Sequence, residues 1–229
     1  MKHLAAILLL LGATQVWSAD TLTAITTAGE FNDFIEGYYK NPRPELVDSA
    51  LQFLAGAGSK FTTDDDTSRM LQTAFACLFQ RHPEKRDAWK KTIASLPEPG
   101  KTYLHVSMES DVNAMFHATP TTPTKNDMSW GCFFVTGDTS YIQDVILAMK
   151  HLDERKDLSK FLTGATAQWS LAALARTDDT VRATLETAAK GADKEIAAAA
   201  NVALTRPVGE IRATTVEILK KQKEAGVWQ

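Results

Sequence analysis

Apolar residues recur in this chain at the spacing of an α-helix, segment after segment, and few folds can bury such a pattern. Phe31, Phe34, Ile35 and Tyr38 fall at i, i+3, i+4 and i+7, which is one face of a helix. "NPRPE" interrupts, and Pro44 suits a first helical turn because its missing N–H would be unpaired there anyway. Leu46, Val47, Ala50, Leu51 and Leu54 form the next stripe, with Gly56 and Gly58 as its stop. Asp64, Asp65 and Asp66 precede a third stripe of Met70, Leu71, Ala74, Phe75 and Leu78. Carboxylates placed there cap free N–H groups and meet the positive end of the helix dipole. The run lacks the alternating oxygen ligands and glycine of a calcium loop. Pro83 ends that helix, and Trp89, Ile93 and Leu96 belong to the next.

The stretch "WGCFFVTGDTSYIQDVI", Trp130 to Ile146, crowds large side chains around one cysteine. Trp130, Phe133 and Phe134 share a helical face, "TGDTS" supplies a turn with capping oxygens, and Tyr141, Val145, Ile146 and Met149 open a following helix. Packing explains these side chains without a cofactor. "KTYLHVSMESDVNAMFH" also suits helix through Leu104, Met108, Val112, Met115 and Phe116, although a short strand from Lys101 to Met108 is the alternative. "ATPTTPTKND", Ala118 to Asp127, reads as an exposed loop, since its prolines, threonines and asparagine leave little to bury. Leu158, Phe161, Leu162, Ala165 and Trp169 mark a long helix. Its Gly164, Ala167, Ala172 and Ala173 would let helix axes approach closely. Val208, Ile211, Thr215 and Ile218 shape the last helix, with Lys220, Lys221 and Lys223 at its negative end.

The first residues, "MKHLAAILLLLGATQVWSAD", read as a secretory signal over 1–18. A short basic start is followed by an apolar run too short for a stable anchor, with Val16 and Ser18 small enough for cleavage. The expected location is therefore periplasmic or secreted. No later segment has the roughly 18 uninterrupted apolar residues of a spanning helix, so no membrane span is expected in the mature chain. A formal charge of −3, with both signs interspersed, gives no reason to expect nucleic acid as partner.

The sequence nominates no catalytic, cofactor-binding or metal-ligating residue, and no cofactor. No histidine pair has zinc-protease spacing, and neither a Gly-x-Ser-x-Gly elbow nor a phosphate-binding glycine loop occurs. His105, Ser107 and Glu109 alternate, but alternate residues share a face only in a strand. Asp178 and Asp179 are better explained as helix caps ahead of Val181 than as paired carboxylates. Cys77 and Cys132 are the only cysteines. In an oxidising compartment they are a disulfide candidate, worth on the order of 4 kcal/mol in the chain-entropy model. Equally, each lies in an apolar helical stretch where a thiol packs as a small hydrophobe.

A shift of 30 residues places Ala173, Leu174 and Arg176 on Ala203, Leu204 and Arg206. The same shift places Val181, Arg182, Ala183 and Thr184 on Ile211, Arg212, Ala213 and Thr214. A helix, a polar turn and a second helix are thus used twice. With the paired stripes, "TGDTSYIQDVI" and "GATAQWSLAALARTDDTVRATLETA", the chain resembles α-solenoid repeats of the HEAT or tetratricopeptide kind over Arg43 to Lys223. It is also similar to exported bacterial proteins of unknown function. The solenoid resemblance implies an all-α fold, a right-handed array of antiparallel helix pairs forming one domain over 19–229, and binding of a protein or peptide partner on a concave face. The lack of a catalytic constellation argues against an enzyme. An immunity-type inhibitor of a secreted toxin, and a hydrolase using His105, His117 or the loop from Ala118 to Asp127, are the alternative expectations.

Overall fold

The computed structural model of the protein describes residues 23–56, 60 and 65–228. The segment read as a signal (1–18), Gly58, Asp64 and the side chains of Asp65 and Asp66 lie outside the described residues. Among the described residues there are 12 α-helices and no strand, so the chain is all-α. They form two compact units.

The first unit takes in residues 23–118 and Trp130–Asp138. Its α1 (Ala28–Gly37) starts at a capping box: Thr27 Oγ1 accepts from the Glu30 N–H at 3.2 Å, and the Glu30 carboxylate accepts from the Thr27 N–H at 2.9 Å. Two bonds from Thr26 first, and those from Thr27 after them, hold the Glu30 carboxyl below its usual range. The stripe from Phe31 to Tyr38 is buried, as its spacing requires. Phe31 meets Phe53 of α2 (Val47–Ala55) at 5.3 Å and Phe75 of α3 (Asp65–Arg81) at 6.3 Å. Each of these large side chains removed from water stabilises the fold by roughly 1.5–3 kcal/mol. A short 3₁₀ turn at Pro83–Lys85 leads into α4 (Arg86–Ala94), where Trp89 and Ile93 face the core. Thr92 donates to Asp48 at 2.6 Å and ties α4 to α2. The segment from Gly100 to Glu109 is helix α5 rather than the alternative strand, and α6 (Val112–Ala118) follows. Both pack on α3.

The stretch quoted above falls on α7 (Pro123–Thr136) and α8 (Thr139–Ala148). Residues of α7 from Trp130 onward count with the first unit and those up to Ser129 with the second. Trp130, Cys132, Phe133 and Phe134 are all buried, and Trp130 stacks on Phe134 at 6.0 Å. Cys132 is joined to Cys77 by a disulfide, with Cα atoms 5.4 Å apart across 55 residues of chain. Gly131 makes this approach of α7 to α3 possible, since a Cβ there would lie 2.8 Å from the Met70 carbonyl oxygen.

The second unit takes in Thr119–Ser129 and 139–228. After α8 come a 3₁₀ segment (Met149–Asp153), α9 (Leu158–Leu174), α10 (Asp179–Ala189), α11 (Lys194–Thr205) and α12 (Val208–Glu224). Asp157, Asp178 and Asp193 cap α9, α10 and α11 through their carboxylates, each cap contributing about 1 kcal/mol. Helix α9 is the centre of this unit and packs on α8, α10, α11, α12 and the 3₁₀ segment. Of the loop expected from Ala118 to Asp127, residues 119–122 are non-helical, but the rest departs from it. Pro123 opens α7, and Asn126 and Asp127 are buried. The Asn126 amide donates to the Thr163 carbonyl at 2.9 Å and to Thr166 Oγ1 at 3.1 Å. Proline at a first helical position and an asparagine with buried acceptors overrode the loop-like composition.

Candidate functional site

Because α5 is a helix, His105, Ser107 and Glu109 do not converge. His105 is exposed, Ser107 is buried with its hydroxyl donating to the Tyr103 carbonyl at 3.1 Å, and Glu109 pairs with Lys90 at 2.8 Å. His117 is exposed near the end of α6.

The first unit holds a polar cluster that the sequence did not flag. Tyr38 OH lies 2.9 Å from His82 Nε2, and His82 Nδ1 lies 3.2 Å from a Glu84 carboxylate oxygen. Phe34 meets Tyr38 edge-on at 5.3 Å and Trp89 meets His82 edge-on at 5.9 Å. Burial pushes the Tyr38 hydroxyl up to about 12, so it remains a neutral phenol near neutrality. Only 1% of Tyr38 is exposed, so its hydroxyl serves the packing, while Glu84 at the outer end of the trio is exposed. Glu36, one turn away, has Oε1 buried without a hydrogen-bond partner among the described residues. Its carboxyl is raised to about 8 by burial first and by the neighbouring Asp33 second.

A different geometry occurs in the second unit, where the 3₁₀ segment, α9, α11 and α12 surround a groove of about 480 Å³. Half-buried Val202 on α11 and Ile218 on α12 give it an apolar lining, while Phe161 on α9, stacked on Trp228 at 5.8 Å, and Ile211 on α12 border it but are themselves buried. Gln168 donates to the Ala199 carbonyl at 3.1 Å, fixing α11 against α9 beside it. The opposite wall is the 3₁₀ segment, held close by Gly164: a Cβ there would lie 2.6 Å from the Leu152 nitrogen.

That wall is also locked by charge. His151 Nδ1 and Glu154 Oε1 are 2.6 Å apart, and Lys160 donates to Glu154 Oε2 at 2.6 Å. Lys160 first and His151 second hold the Glu154 carboxyl below its usual range. The rim is polar, with Lys150, Asp153 and Arg155 on the 3₁₀ side and Lys194, Glu195 and Arg206 on the other. Such an arrangement can receive an amphipathic ligand, its apolar part against that lining and its polar part at the rim.

None of the rim residues stood out in the sequence as a site. The 30-residue shift did single out Arg206 and Ile211, which is the signal that bore on the groove. Among the described residues no group of three or more acidic, histidine or cysteine side chains is placed to hold a metal ion. No helix among them is long and apolar enough to cross a membrane. No protein-family model, no curated protein and no solved structure matches the chain.

Proposed function

We propose that the protein binds a peptide segment of a partner protein in the groove of its second unit, and that it does so outside the cytoplasm as a helical-repeat binding protein. The groove carries the reading, because an apolar lining framed by rigid helices and a polar rim suits a side chain presented on a short extended or helical segment. The repeat relation supports the helical-repeat reading: Val181 and Ile211, thirty residues apart, are both buried near the start of α10 and α12. The amino-terminal segment and the paired cysteines support an oxidising compartment.

Selection of displayed peptides on the purified full chain tests this. Selected peptides should bind in solution, and Ala198→Trp, at an exposed lining position, should weaken them by about tenfold or more by filling the groove. Its helical circular dichroism and unfolding midpoint should match those of the parent. Failure to select any binder, or undiminished binding to a folded Ala198→Trp variant, would contradict the proposal.

A further inference from the structure

The rim of this groove differs in sign from the chain that carries it. Overall, 28 acidic residues outnumber 25 lysines and arginines. Around the groove, four cationic side chains (Lys150, Arg155, Lys194 and Arg206) face two carboxylates, Asp153 and Glu195. Arg155 lies 3.7 Å from Asp153, which leaves Lys150, Lys194 and Arg206 with no side-chain ion pair or hydrogen bond among the described residues. The contrast with neighbouring arginines is informative. Arg176, thirty residues before Arg206, donates to the carbonyls of Ala172 and Arg206. Arg182 donates to the Ala175 carbonyl at 2.8 Å, and Arg212 lies over the Trp169 ring at 5.1 Å. The side chains of Arg176, Arg182 and Arg212 are thus engaged within the helical packing, and that of Arg206 is not.

Building on the peptide reading above, we infer that the groove selects acidic peptides, in which carboxylate side chains flank an apolar anchor. Lys150, Lys194 and Arg206 would meet the carboxylates while the anchor rests on the half-buried Val202 and Ile218. Charges beside an apolar wall are screened less than charges in open water, so attraction there outweighs the weaker field of the net negative chain. Glu195, the one unpaired carboxylate of the rim, disfavours a polyanion that must cover the whole surface. That feature favours a peptide with a few spaced carboxylates over nucleic acid.

The test uses the full chain and three fluorescein-labelled peptides: one alternating Glu and Leu, one with Gln for every Glu, and one with Lys for every Glu. The Glu peptide is expected to bind about tenfold tighter than the Gln peptide, with the advantage falling steeply between roughly 50 and 500 mM salt. A Lys150→Glu, Lys194→Glu, Arg206→Glu variant, all surface changes, should lose that preference and gain affinity for the Lys peptide. Equal binding of the Glu and Gln peptides, blocked in both cases by Ala198→Trp, would overturn the acidic selectivity and leave the groove reading standing. No binding of any peptide, selected ones included, would overturn both. Tighter binding of a single-stranded oligonucleotide than of the Glu peptide would also overturn the inference.

Discussion

Individual side chains in the first unit show how burial sets chemistry. Glu36 follows Asp33 by one turn of α1, and its carboxyl is both dehydrated and repelled. Because its folded pKa, about 8, lies above the ordinary carboxylate value, the folded state holds the proton more tightly than the unfolded chain does. The contribution of this group to stability is therefore complete below the ordinary carboxylate pKa of 4.5 and is lost as pH rises towards about 8. Glu36→Gln, which keeps the shape and removes the charge, should raise unfolding free energy by about 1–2 kcal/mol at alkaline pH and change it little in acid. Denaturant titrations across that pH range would show the two curves diverging, and parallel curves would refute the account. Nothing in the sequence separated Glu36 from the other acidic residues of α1. Its distinction comes from what the fold stacks around the end of that helix. The Tyr38, His82 and Glu84 cluster was hidden for the same reason, since 44 residues separate Tyr38 from His82.

At the scale of elements, periodicity carried most of the information. The stripes of α1 to α3, and Trp89 and Ile93 of α4, are buried where their spacing places them, whereas Leu96 lies past the end of α4 and is only half-buried. Asp178 caps α10 as the polar turn before Val181 suggested. Composition misled once, at Ala118 to Asp127, because threonine, proline and asparagine look the same in a loop as in a helix start with internal acceptors. Close approach of elements was legible only as small residues, and the structure shows where one of them is needed. Gly164 of α9 faces main-chain atoms of His151 and Leu152, which cannot yield as a side-chain tip can. Gly164→Ala should therefore destabilise the protein by about 1–3 kcal/mol in urea unfolding, despite the better helix propensity of alanine. It should also displace the 3₁₀ wall and weaken groove binding. A variant as stable as the parent would show that the wall is not pinned there.

For the molecule as a whole, the two units present different kinds of surface. In the first, polar groups such as Asp48, Thr92 and Ser107 are paired within the packing, and a disulfide closes a long loop. In the second, three α-helices and a 3₁₀ segment line a groove that combines half-buried apolar side chains with a cationic rim. The all-α class could be read from local spacing, but this groove could not. Its lining runs from Met149 to Ile218, and each rim residue alone resembles any solvated surface charge. Backbone amide chemical shifts of the isotope-labelled full chain, followed while a display-selected peptide is added, test the central claim most directly. Shifts should move in 149–155, 194–206 and 211–218 and stay fixed around Tyr38 and His82. Changes centred on the first unit, or absent at a saturating peptide concentration, would contradict it.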